Sequence, residues 1–129
     1  MDFLVRARLG GFEPNADVFV DDERSCVVAV IEVAGAEADS IKIGLDERDL
    51  IVAGRRLEIA RLGRGSLVQK EIAYGTFFKR IALPVPVEHH GAAASYADGL
   101  LVVVLPLAAA AYRATARTEL HILVKRTHS

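Results

Sequence analysis

Six consecutive aliphatic residues, Leu100-Leu101-Val102-Val103-Val104-Leu105, follow the pair Asp98-Gly99 and close on Pro106. Asp-Gly supplies the positive φ of a tight hairpin, so this stretch reads as a strand entered from Ala94-Ser95-Tyr96-Ala97. A strand apolar at every position needs both faces covered, one by a second sheet and the other by neighbouring elements or another chain. It is expected in the middle of a core and not at a solvent-facing edge. The apolar run continues through Leu107 to Ala111, but Pro106 interrupts it and it falls short of the ~20 residues a bilayer requires. A membrane span is therefore rejected.

The same pattern of apolar and polar positions predicts further strands upstream. Residues 1–13 mix Phe3, Leu4, Leu9 and Phe12 with two arginines and a Gly-Gly pair, without a clean period, and read as a short mobile arm. Asp17-Val18-Phe19-Val20-Asp21 is a short strand, turned by Asp22-Glu23-Arg24. Residues 26–33 form the next, with Val27, Ala29, Ile31 and Val33 on one face; Cys26, Val28 and Val30 make the other nearly as apolar. Residues 34–39 are a loop, and Ile41-Lys42-Ile43-Gly44-Leu45 alternates strictly. Leu50-Ile51-Val52-Ala53 is a strand, residues 57–74 a long connection with Leu67-Val68 as its strand-like fragment, and residues 77–83 another strand. A connection of that length in a compact domain usually has a task. Residues 108–117 favour helix by propensity yet have little to bury, so they read as a tether. Beyond it, 121–125 is again aliphatic and β-branched. About seven short strands with no amphipathic helix between them predict an all-β fold, an immunoglobulin-like antiparallel β-sandwich with a short N-terminal arm and a flexible C-terminal tail.

Composition narrows the function classes. The 129 residues make one domain plus tails, and the core is aliphatic, with 6% aromatic residues. One cysteine excludes an internal disulfide and a four-cysteine zinc site and fits a reducing compartment. A net charge of -1 gives no basic field for nucleic acid. Met1-Asp2-Phe3-Leu4-Val5-Arg6 breaks off before a leader's apolar core is formed, and a cytoplasmic location is expected.

Several motifs, taken in order, now resemble a known family. They are Pro14-x-x-Asp17-Val18, the Gly35 loop before Ile41-Lys42-Ile43, Leu50-Ile51-Val52-Ala53-Gly54-Arg55-Arg56, Tyr74-Gly75-Thr76-Phe77, Leu83-Pro84, Ala94-x-Tyr96-x-Asp98-Gly99-Leu100-Leu101, Leu105-Pro106 and Ile122-x-Val124. The set is similar to the α-crystallin domain of the small heat-shock proteins, with Ile122-x-Val124 resembling that family's C-terminal motif. Two positions depart from the pattern: Ala34 stands where proline is usual, and Lys79 where arginine is usual.

The resemblance divides the chain into an arm (1–13), an α-crystallin-type sandwich (14–106) and a tail (107–129). It implies a chaperone that works without ATP, needs no cofactor, and holds partly unfolded client proteins against aggregation. It implies a dimer in which Ser66, Leu67 and Val68 of one chain's long loop pair with Asp17, Val18, Phe19 and Val20 of the other. It also implies larger homo-oligomers, formed when Ile122 and Val124 dock between Ile41, Ile43 and Leu45 on one strand and Ala94 and Tyr96 on another. Burying two aliphatic side chains there contributes ~3 to 6 kcal/mol gross. Ordering the tail offsets much of this, so each contact is weak and exchangeable.

Each feature also has a plainer reading. Ile122-Leu123-Val124 could be a terminal strand packed on its own domain. Cys26 reads as a buried small apolar residue. His89-His90 diverge to opposite faces of any strand, and no third ligand has a matching spacing, so no metal site is expected. Gly63-Arg64-Gly65 lacks the Lys-Ser/Thr of a phosphate loop. Asp46, Glu47 and Asp49 form a solvated corner with Arg48, and Ser95 lacks a nucleophile's setting. An enzyme is therefore not expected. The alternative from another class is a monomeric adaptor like a CS domain, binding a folded partner or a larger chaperone.

Overall fold

The computed structural model describes residues 11–46, 48–58 and 65–108, together with the backbone of Lys125–Arg126. Among the described residues, eight strands form two sheets. β1 (Ala16–Asp21), β2 (Cys26–Glu32), β7 (Leu100–Pro106), β6 (Ala93–Ala97) and β8 (Lys125–Arg126) make the larger one, in the order β1-β2-β7-β6-β8. β3 (Lys42–Asp46), β4 (Asp49–Arg56) and β5 (Gly75–Ala82) make the smaller, in the order β3-β4-β5. All pairings among β1 to β7 are antiparallel. This is the all-β sandwich the alternation of apolar positions predicts.

The hairpin that organises the chain takes the geometry its turn pair requires. Asp98 has φ 54° and Gly99 φ 78°, the two positive dihedrals of a tight turn. A Cβ at Gly99 would lie 3.1 Å from the Cα of Ala34, so glycine is needed there for space as well. β7 sits between β2 and β6, with Ile31 opposite Leu101 and Ala29 opposite Val103. Leu101, Val103 and Leu105 are wholly buried with Val27, Ala29 and Ile31. The other face of β7 is different: Leu100 is exposed, and Val102 and Val104 are only half-buried. Full cover of both faces is thus not achieved by the described residues of one chain.

Two contacts fix which strands of the two sheets lie together. Before β1, Phe12 N–H donates to the Thr76 carbonyl (2.9 Å) and the Phe12 carbonyl accepts from Phe78 N–H (3.3 Å), so the chain entering β1 runs beside β5. On the opposite side, the Tyr96 hydroxyl of β6 donates to the Val33 carbonyl (2.6 Å) and accepts from Ala36 N–H (3.1 Å), both in the segment leading to β3. β1 and β5 therefore flank one side of the sandwich, and β6 and β3 the other.

Element limits differ modestly from the sequence reading. β4 extends to Arg56 because Gly54, opposite Phe77, leaves room for the buried Phe77 ring and lets the ladder continue. Within the expected 34–39 loop begins a single 3-10 turn, Ala38–Ser40. Ser40 Oγ holds it by donating to the Glu37 carbonyl (2.7 Å) and accepting from Arg55 N–H (3.0 Å). Leu67-Val68 forms no strand, since an extended segment needs a neighbouring ladder and no described part of its own chain provides one.

Candidate functional site

A sheet that ends in an unpaired strand exposes a row of backbone donors and acceptors that another chain can pair with. β1 is such a strand: it pairs with β2 on one side and with no described strand on the other. Its side chains are exposed on both faces, Val18 at 39%, Phe19 at 53% and Val20 at 41%. Val18 and Val20 point to the inner face, opposite Ala29 and Val27, yet stay open because the smaller sheet has only three strands to cover them. Asp17 begins this strip and is exposed. The expected acceptor residues Asp17, Val18, Phe19 and Val20 thus form one continuous edge.

The expected donor segment lies in the long connection after β4. Of that connection, residues 65–74 are described, and Ser66, Leu67 and Val68 are exposed, Leu67 at 73% and Val68 at 96%. Ile72 is exposed as well. The backbone groups of Ser66, Leu67 and Val68 have no hydrogen-bond partner among the described residues and are open to pairing. The root of the connection is held by Arg56, which sequence reasoning quoted only as part of a motif. Its Nε and Nη2 donate to the Ala73 carbonyl (3.0 and 2.5 Å), and its Nη1 donates to the Ala34 carbonyl (3.1 Å). The guanidinium lies 4.2 Å from the centroid of the Phe12 ring and 5.8 Å from that of Tyr74. One cation thereby gathers the chain before β1, the connection before β5 and the loop after β2. Glu13 adds an ion pair to Lys79 (2.9 Å), so the lysine at this departure from the family pattern still finds a carboxylate.

The expected groove residues divide between two strands on the other side. Ile41, Ile43 and Leu45 lie on and just before β3, the outer strand of the smaller sheet, and Ala94 and Tyr96 lie on β6. All five point into the core, with residual exposures of 5 to 8%, whereas the central residues Leu50, Val52, Leu101 and Val103 have none. The core is thus slightly open at the side where β3 and β6 flank it. β8 runs parallel to β6 of the same chain, Lys125 opposite Ser95 and Arg126 opposite Tyr96. Ile122 and Val124, the expected docking pair, lie outside the described residues.

Cys26 is buried and unpaired. His89 and His90 are exposed in a turn, and no group of metal-binding side chains occurs among the described residues. No helix among the described residues is long and apolar enough to cross a membrane. At the acidic corner, Asp49 pairs with Arg80 (2.6 Å), which lies diagonally across the β4-β5 ladder, opposite Ile51.

Comparison with known proteins points one way. The profile of the Hsp20/alpha crystallin family matches residues 18–124. Small heat shock protein C4 of Rickettsia felis is 28% identical over 76 residues, which are 59% of this chain and 47% of that protein, so the chain spans about half the length of this relative. Among solved structures, heat shock protein 16.0 from Schizosaccharomyces pombe superposes with a TM-score of 0.69 at 21% identity, over 80% of this chain and 72% of that one. The hspA structure from Xanthomonas axonopodis gives a TM-score of 0.63 at 25% identity, over 77% of this chain and 97% of that one.

Proposed function

The chain belongs to the Hsp20/alpha crystallin family, whose members are chaperones, and we propose that it is a non-enzymatic holdase. It binds partly unfolded client proteins in the cytoplasm without ATP or cofactor and keeps them from aggregating. The working unit is a homodimer: Ser66, Leu67 and Val68 of one copy add a strand to Asp17, Val18, Phe19 and Val20 of the other. Dimers join into larger assemblies when Ile122 and Val124 of one copy dock between β3 and β6 of another, beside Ile41, Ile43, Leu45, Ala94 and Tyr96. Residues 1–13 serve as the arm, 14–106 as the sandwich and 107–129 as the tail.

The observation that carries this reading is a pair of complementary open elements in one chain, the unpaired β1 edge and the exposed Leu67-Val68 segment. Neither satisfies itself, and each offers what the other lacks. The lie of Lys125–Arg126 along its own β6 favours a second reading, a self-contained monomeric adaptor resembling a CS domain.

Light scattering on the size-separated full-length chain distinguishes the two. The holdase reading expects a large species that falls to dimers in Ile122→Ala/Val124→Ala, and a further fall to monomers in Leu67→Pro/Val68→Pro. A heat-labile client enzyme warmed with the protein, with no nucleotide added, should stay clear. A monomer in all samples together with undiminished client turbidity establishes the adaptor reading instead.

A further inference from the structure

The outer face of the larger sheet is apolar where a solvated sheet face normally alternates to polar. Register places these side chains side by side: Phe19 opposite Val28, Val28 opposite Val104, Val30 opposite Val102, and Leu100 opposite Glu32. The inward residues between them are wholly buried, whereas Phe19 and Leu100 are exposed and Val28, Val30, Val102 and Val104 are half-buried. Strands lie ~4.8 Å apart and alternate residues ~6.7 Å apart, so the patch spans roughly 10 by 13 Å, the footprint of one extended segment of four or five residues.

The charged side chains that the strand register places on this face of β1, β2 and β7 are acidic. Asp17 and Asp21 stand two residues either side of Phe19 on the same face, and Glu32 stands beside Leu100. Asp21 is engaged by Arg24, whereas Asp17 and Glu32 have no ion-pair partner among the described residues. Two copies meeting through this face would bring their carboxylates together, and an anionic lipid surface or nucleic acid would meet the same repulsion. A cation is favoured twice at Phe19, by the ring face and by the neighbouring carboxylate of Asp17.

The geometry points to this face as a client-binding surface that selects extended segments with apolar residues at alternate positions and arginine or lysine at their ends. The assignment rests on the holdase reading above and gives it a substrate class. It uses the face of β1 and leaves the backbone edge of β1 free for a partner chain. Alternate side chains of the segment cover the valines, and its terminal cation lies over Phe19 against Asp17.

The test uses the full-length chain and two labelled peptides, each with valine at alternate positions, one ending in arginine and the other in glutamate. Fluorescence anisotropy should show roughly tenfold tighter binding of the arginine peptide, the scale of one favourable charge contact. Asp17→Asn/Glu32→Gln should erase that preference, and Val30→Thr/Val102→Thr should weaken both peptides; these outward positions tolerate polar side chains, and circular dichroism checks the fold. Equal binding of the two peptides, or a preference that survives Asp17→Asn/Glu32→Gln, overturns the assignment. So does a tenfold gain in peptide binding from Arg6→Glu/Arg8→Glu, which would mean that the chain's own first residues occupy the face. Client turbidity measured alongside separates the premises. Failure to suppress turbidity with the peptide preference intact sinks the holdase reading alone, and suppression without any preference sinks the surface alone.

Discussion

Gly54 and Phe77 provide the sharpest test of how the β4-β5 ladder packs near its Arg56-Gly75 end. The two residues are directly opposite, and a Cβ added at Gly54 would lie 2.5, 2.9 and 3.2 Å from Cζ, Cε2 and Cε1 of the Phe77 ring. Carbon atoms rest at about 3.5 to 4.0 Å, so Gly54→Ala forces the ring back by roughly 1 Å. The ring is wholly buried and lies 5.7 Å from the Phe12 ring, centroid to centroid, so it has no open direction in which to retreat. Overpacking of this kind costs ~1 to 3 kcal/mol. For a domain of this size each kcal/mol moves the midpoint by ~4 to 8 °C, so Tm should fall by roughly 5 to 20 °C. Thermal and urea unfolding, run at matched protein concentration because assembly adds to apparent stability, measure the loss. Phe77→Leu in the same chain makes room for the new methyl, so the double variant should be more stable than the two single losses predict, by ~0.5 to 3 kcal/mol. A Gly54→Ala chain within ~0.5 kcal/mol of the original, or strictly additive losses, would refute the packing argument.

Three further expectations concern named contacts. Tyr96→Phe removes the hydroxyl's bonds to Val33 and Ala36, but Ala36 N–H still donates to the Val33 carbonyl (3.1 Å); urea unfolding should therefore show a loss of ~1 kcal/mol and no collapse of the fold. Arg56→Ala frees the Ala34 and Ala73 carbonyls and the Phe12 ring, and hydrogen exchange should quicken at Phe12 and Phe78 together; Arg56→Lys, lacking the planar fork, should restore little of the protection. Glu13→Gln breaks an ion pair whose carboxylate is 68% exposed, so stability should change by less than ~1 kcal/mol, and less again in high salt.

The local vocabulary of this fold is written in short windows of sequence. Asp98-Gly99 specifies its turn because only two residues must take positive φ, and alternation in 41–45 specifies a half-buried strand because side chains change face at every residue. The unpaired character of β1 was legible from Asp17, Val18, Phe19, Val20 and Asp21 only through family resemblance, since no window of five residues states which strand lies beside it. Arg56 was less legible still. Its partners Phe12, Ala34, Ala73 and Tyr74 come from three separate segments, and nothing near residue 56 signals that they meet.

Sequence alone determined the strands, the tight hairpin, the aliphatic interior and the absence of an internal disulfide, all of which depend on neighbours in the chain or on composition. Tertiary structure decided which strands flank each side of the sandwich, that the chain before β1 is clipped to β5 by Phe12, and that β8 lies along β6. It also decided that Val28, Val30, Val102 and Val104 sit on a face only half-covered. A run of aliphatic residues states that cover is needed, but whether it is supplied depends on how many strands the opposing sheet has and where they stop. That is settled by contacts between segments far apart in the chain, after the loops have closed.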